Sequence, residues 1–171
     1  PAQPRRVAID LLDNRYLAHL DRDGVVVPLN DPGVVKFIQG GWKTGFSSAR
    51  VSGRRVLKMT SRQGVFYVPA RAELCADGCT FYLGVEQPHS GQRVGVFVNK
   101  KPLTTQEVPV GYSVVRVSIP KGGLVDGENR VRLFFRRSGR NTKAGVCAYL
   151  RWMAITRSKD PALEDLAEVW R

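Results

Sequence analysis

Along most of this chain apolar residues recur at every second position, not at the three-to-four spacing of a helix, which predicts half-buried strands. Val115, Val117 and Ile119 share one side of a strand over 114–119, and Val94, Val96 and Val98 share one side over 93–98. Over 130–136, Val131, Leu133 and Phe135 point one way and Arg130, Arg132 and Arg136 the other. Residues 80–86 and 146–155 predict two more strands, the second apolar on both faces. Residues 54–60 and 65–68 predict a hairpin around Ser61-Arg62-Gln63-Gly64. Near the start, 7–12, 17–20 and 25–29 predict three short strands, the last pair turned by Asp21-Arg22-Asp23-Gly24.

Turn signals punctuate these runs: Asp31-Pro32-Gly33, Gly40-Gly41, Ser90-Gly91, Gly122-Gly123, Asp126-Gly127 and Ser138-Gly139. About eight to ten short strands at such intervals predict an all-β sandwich. The last residues depart from the pattern. Asp160 suits an N-cap, Pro161 the first helical position, and Leu163, Leu166, Ala167 and Trp170 recur at helical spacing. The expected organisation is a β-sandwich over 1–156 and a short amphipathic helix over 157–171, which packs back or leads to a further domain.

The 171 residues suit one domain, and a 43% hydrophobic, 25% charged composition is that of a globular chain. At this size roughly 70% of the unfolded surface is buried on folding, enough for a core without metal or disulfide staples. No apolar run approaches the roughly 20 residues of a membrane helix. The chain opens Pro-Ala-Gln-Pro-Arg-Arg with no charged-then-apolar leader, which reads as a mature or excised product or one that never had a leader.

Charge changes the picture. Twenty-seven Lys and Arg against fifteen Asp and Glu give a net +12, which points to a polyanionic partner or to solubility. Residues 32–72 hold eight basic side chains and no acid, and 129–159 hold nine and no acid. Such blocks are expected either to solvate strand faces or to meet in one patch.

Of the three cysteines, Cys75 and Cys79 bracket Ala-Asp-Gly, so a small local disulfide is expected if the protein is exported; otherwise all three, Cys147 included, are reduced and buried. His19 and His89 stand at no ligand spacing to the cysteines or to each other, so no metal site is expected. There is no phosphate-cradling glycine loop, no nucleophile elbow and no H-E-x-x-H pair, and the acids form no obvious general acid/base couple. The chain is read as non-catalytic and without a cofactor.

The segment 94–129 has a further order. A strand runs into Asn99-Lys100-Lys101-Pro102-Leu103, a turn showing a small loop to solvent; a second strand follows, then Gly127-Glu128-Asn129 and a third. This resembles the galactose-binding-like jelly rolls, in which a "v-x-v-N-g" turn is followed by a strand and a G-x-N phrase. The likeness spans about 40 residues and implies a jelly-roll sandwich, many of which are non-catalytic appendages of carbohydrate-active enzymes. Asp10-Leu11-Leu12-Asp13-Asn14-Arg15-Tyr16-Leu17-Ala18-His19-Leu20, then Asp31-Pro32-Gly33-Val34-Val35-Lys36-Phe37 and Gly40-Gly41-Trp42-Lys43-Thr44, resembles the β-sandwich region that precedes the catalytic domain in some bacterial sulfatases. The sulfatase signature, C-x-P-S-R or its serine version, is not in this sequence. The resemblance implies an accessory module of a periplasmic or extracellular protein, with a catalytic sulfatase domain in cis.

A sulfated or otherwise anionic polysaccharide is then the expected ligand, because guanidinium groups pair bidentately with oxyanions. Arg130, Arg132 and Arg136 would line one sheet face, Arg137, Arg140 and Lys143 would extend it, and Trp42 would offer a stacking surface. Two alternatives stand beside this: a purely structural domain packed on a catalytic one, and a nucleic-acid-binding β domain. The second lacks exposed aromatics interleaved with its basic residues, so nucleic acid is the less expected partner.

Overall fold

The computed structural model describes residues 24–29, 46–137 and 145–157. Within them the chain forms ten strands: β1 (Gly24–Pro28), β2 (Phe46–Val51), β3 (Arg54–Met59), β4 (Gln63–Ala70), β5 (Cys79–Gln87), β6 (Gln92–Val98), β7 (Lys101–Val108), β8 (Gly111–Ile119), β9 (Gly127–Phe135) and β10 (Ala148–Thr156). A single 3-10 turn, Ala72–Cys75, joins β4 to β5. The expected helix over 157–171, beyond Arg157, and the strands over 7–12 and 17–20 lie outside the described residues.

Two antiparallel sheets face each other as a jelly-roll sandwich. One runs β2-β3-β10-β5-β8, with β1 pairing along the second half of β10; the other runs β4-β9-β6-β7. The alternating residues meet between them. Phe66, Val94, Val96, Leu133 and Phe135 come from the four-stranded sheet, and Phe81, Leu83, Val85, Leu150, Met153 and Ile155 from the other, all buried in one core. That burial is the main stabilising term, since each such side chain is worth about 1.5–3 kcal/mol relative to exposure. Strand β10 is apolar on both faces, as its sequence predicts: Trp152 and Ala154 point away from the core and are still buried.

Turn chemistry corrects two expectations. The hairpin expected between 54–60 and 65–68 does not form, because β3 and β4 belong to different sheets. Strand β3 instead pairs with β2 through Ser52-Gly53, both at positive φ (51° and 77°), the two-residue turn whose twist suits a hairpin. The chain crosses between sheets at Thr60–Arg62: the Met59 carbonyl accepts from Cys147 N–H in one, and the Arg62 carbonyl from Phe135 N–H in the other. The solvent loop expected over 99–103 shrinks to Asn99-Lys100, also at positive φ (49° and 69°). From Lys101 onward the chain is β7, a polar edge strand, where Pro102 is tolerated.

Cys75 and Cys79 form the local disulfide, with their Cα atoms 4.9 Å apart, between the 3-10 turn and the first residue of β5. Cys147 lies outside it, buried, with its thiol toward the carbonyls of Thr60 (3.4 Å) and Ser61 (3.3 Å).

Candidate functional site

On β9 the inward set is Asn129, Val131, Leu133 and Phe135, so Arg130, Arg132, Phe134 and Arg136 point outward. Arg130, Arg132 and Arg136 therefore lie on the outward side of this sheet. Register supplies their neighbours. Arg130 stands opposite Tyr67 on β4, and Arg132 stands between Val65 on β4 and Phe97 on β6. The Arg132 guanidinium lies over the Phe97 ring, 4.1 Å from its centroid, and Arg62 lies over Phe134 at 4.8 Å. Such stacking holds a guanidinium flat; Arg62 is also fixed by Nε, which donates to the Phe135 carbonyl at 3.2 Å. Gly95 lies beside Phe97 on this face, where a Cβ would make only ordinary contact with the ring, at 3.6 Å.

At the end of β9, Arg136 N–H donates to the Arg93 carbonyl, which brings Arg93 beside Arg136 on the same face. The Nε atoms of Arg93 and Arg132 are buried without an acceptor. Each of these cations is thus partly withdrawn from water, which strengthens its pull on an anion. Arg137 turns the corner. Its N–H donates to Gln92 Oε1 (2.8 Å), and its guanidinium packs on the Gly91 turn. Gln92 is fully buried and donates to the carbonyls of Arg137 (3.0 Å) and Cys147 (3.1 Å), so this corner is rigidly tied.

The other end of the face is held by two asparagines. Asn99 exchanges both backbone bonds' worth of contact with Arg130: its N–H donates to the Arg130 carbonyl (2.8 Å) and its Oδ1 accepts from Arg130 N–H (2.9 Å). Its Nδ2 donates to Asn129 Oδ1 (2.8 Å) and to the Gly123 carbonyl (3.1 Å). These are the asparagines of the turn and G-x-N phrases in the sequence, and their role here is structural.

Of the other candidates, Trp42, Arg140 and Lys143 lie outside the described residues. Sequence reasoning missed Phe134, which shares the outward side of β9, and Arg62, Arg93, Tyr67 and Phe97, which come to the face through the neighbouring strands β4 and β6. The period-two run Arg93-Gly95-Phe97 was the signal available for two of them. The two acid-free blocks meet in part: Arg62 joins the β9 arginines, whereas Arg50, Arg54 and Arg55 sit on the β2–β3 hairpin of the other sheet. Among the described residues no group of three or more His, Cys, Asp or Glu side chains gathers as a metal site would require, and no helix is long and apolar enough to cross a membrane.

No protein-family model matches the chain, and no curated protein matches it. Solved structures do. A family 35 carbohydrate-binding module from Clostridium thermocellum superposes with a TM-score of 0.54 at 10% identity, over 77% of this chain and 96% of that one. The C-terminal family 6 module of LamC, a laminarinase from Zobellia galactanivorans, gives 0.51 at 10%, over 78% and 99%. An exo-β-1,3-galactanase from Phanerochaete chrysosporium, solved with β-1,3-galactotriose, gives 0.51 at 15%, over 81% of this chain and 30% of the galactanase. The chain therefore spans under a third of that enzyme's length and nearly the whole of the two modules. At these identities the likeness is one of fold: the jelly-roll sandwich of carbohydrate-binding modules.

Proposed function

We propose that this chain is a non-catalytic accessory module that binds anionic, in particular sulfated, carbohydrate on the outer face of its four-stranded sheet. The observation that carries the reading is Arg132 stacked on Phe97 between Arg130 and Arg136, with Arg93 and Arg62 beside them. Several guanidinium forks on one rigid face match a repeated oxyanion better than a single charge. Resemblance of the fold to carbohydrate-binding modules supports a sugar-directed role. A catalytic sulfatase domain in cis is the expected context, from the sequence phrases over 10–20, 31–37 and 40–44. The Cys75–Cys79 disulfide supports an oxidising compartment, periplasmic or extracellular. Against nucleic acid, Phe97 and Phe134 each have a ring face taken by an arginine, which leaves less platform for stacking bases.

The test is a titration of heparin beside a DNA duplex of matched charge, each over a series of salt concentrations. Binding to the glycan that outlasts the DNA signal at moderate salt, and that falls with Arg130→Ala plus Arg132→Ala, supports the reading. Equal loss of both ligands with salt leaves charge alone as the explanation, and no binding at all leaves the structural alternative.

A further inference from the structure

The outward face of the six-stranded sheet carries a different set of side chains, which the arginine-face reading does not use. Lys58, Tyr149, Glu86 and Tyr112 occupy directly opposed positions on β3, β10, β5 and β8. Their chain neighbours Leu57, Leu150 and Val85 point into the core, so all four point away from it. The row runs across the strands, and Tyr149 and Tyr112 stand two strand spacings apart, about 10 Å. Glu86 lies between them.

A β-bulge completes the arrangement. The β10–β5 register shifts between Leu150 and Trp152, so Arg151 and Trp152 both project outward. Arg151 Nη2 pairs with Glu86 Oε2 at 2.6 Å, and its guanidinium lies 4.9 Å from the centre of the Tyr112 ring. Trp152 Nε1 donates to the Tyr112 hydroxyl at 2.8 Å. The Trp152 indole in turn lies directly on Gly84, where a Cβ would meet it at 2.3 Å. Tyr112 is thus braced at its hydroxyl and on one ring face. The Glu86 side chain keeps 24% of its surface in water, with Oε1 outside the ion pair.

From this juxtaposition we propose a second carbohydrate site here, one that takes an uncharged oligosaccharide. A pre-positioned aromatic ring offers its face to the apolar C–H side of a pyranose, and few, fixed polar groups set orientation. The carboxylate accepts from sugar hydroxyls in charge-assisted bonds. The Glu86–Arg151 pair is neutral as a unit, so nothing in the row's centre selects for an anion. The spacing of the two tyrosines suits a short oligomer, not one ring. The two sheets would then bind different polymers, an acidic one on the β9 face and a neutral one here.

Native affinity electrophoresis through gels containing an uncharged β-1,3-galactan or an uncharged β-1,4-glucan tests this, with Tyr149→Ala, Glu86→Gln and Arg130→Ala plus Arg132→Ala beside the unaltered protein. Retardation by at least one polymer, reduced at least fivefold by Tyr149→Ala and left intact by the double arginine variant, is the expected result. Urea midpoints check that Tyr149→Ala remains folded; Glu86→Gln gives a second reading that does not remove a ring. Absence of retardation by both polymers overturns the proposal. So does retardation that survives both Tyr149→Ala and Glu86→Gln, or that is lost with the arginines. Heparin binding in the same variants reports separately on the arginine face, so the failure of one site is distinguishable from that of the other.

Discussion

Asn99 and Asn129 are joined by a 2.8 Å hydrogen bond between Nδ2 and Oδ1. The pair locks the β6–β7 turn to the loop that enters β9. Asn129 is fully buried, and its amide also spans that loop: Oδ1 accepts from Val125 N–H, and Nδ2 donates to the carbonyls of Val125 and Gly127. Asn99 adds a second reason for its residue type, since it sits at φ 49°, where asparagine is tolerated better than most.

Asn129→Ala is therefore expected to destabilise the fold by about 1–3 kcal/mol, because it removes the partner of Val125 N–H, one of the two partners of Asn99 Nδ2 and the donor to two carbonyls in a part-buried loop. Urea unfolding checks it: the midpoint falls while the slope stays the same. A change of under about 0.5 kcal/mol, the range of ordinary surface substitutions, sinks this account of the loop.

Two glycines give a paired prediction. At Gly84 a Cβ would come within 2.3 Å of Trp152 Nε1, with the indole also packed against its hydroxyl-bonded tyrosine. At Gly95 the nearest atom would be Thr105 Oγ1 at 3.5 Å, an ordinary contact. Gly84→Ala should cost about 1–3 kcal/mol or more through overpacking, and Gly95→Ala should be near neutral or mildly stabilising. Thermal melts of the two variants side by side decide it, and reversed order contradicts the placement of Trp152.

The cysteines yield a prediction by counting. With Cys75 and Cys79 bonded and Cys147 buried, the native protein should expose no reactive thiol, and one per chain should react on unfolding without reductant. Reduction should lower stability by about 2 kcal/mol, the chain-entropy value for so short a loop. A titration finding three thiols under non-reducing denaturation would show that the bond is absent.

The strands were legible in the sequence wherever one face is buried, as in Val94-Val96-Val98 and Val131-Leu133-Phe135, because burial forces the alternation. Strand β7 was not, because Lys101–Val108 is an exposed edge with mostly polar side chains. The β3–β4 hairpin was misread for a related reason. Both runs alternate correctly, and alternation does not name a partner; the Ser52-Gly53 turn does, and it sends β3 to β2. The same limit applies to the candidate site. Arg130, Arg132 and Arg136 were visible on one strand, whereas Arg62, Tyr67 and Phe97 join them only through register with β4 and β6.

That register makes the sharpest prediction for binding. If Arg132 acts through a planar fork held on Phe97, charge alone cannot replace it. Arg132→Ala should weaken heparin binding by about tenfold, in the range for a hydrogen bond to a charged group. Arg132→Lys keeps the charge but loses the bidentate fork and most of the stacking, so it should recover only part of the loss. Phe97→Ala removes the support while leaving every cation in place, and should weaken binding less than Arg132→Ala but without changing the salt slope. Arg132→Ala should instead lower that slope by about one, the signature of a lost cation at a polyanion. Isothermal titration at three salt concentrations separates the cases. Full recovery by lysine, together with an unaffected Phe97→Ala variant, would mean that diffuse charge and not a built face holds the polymer.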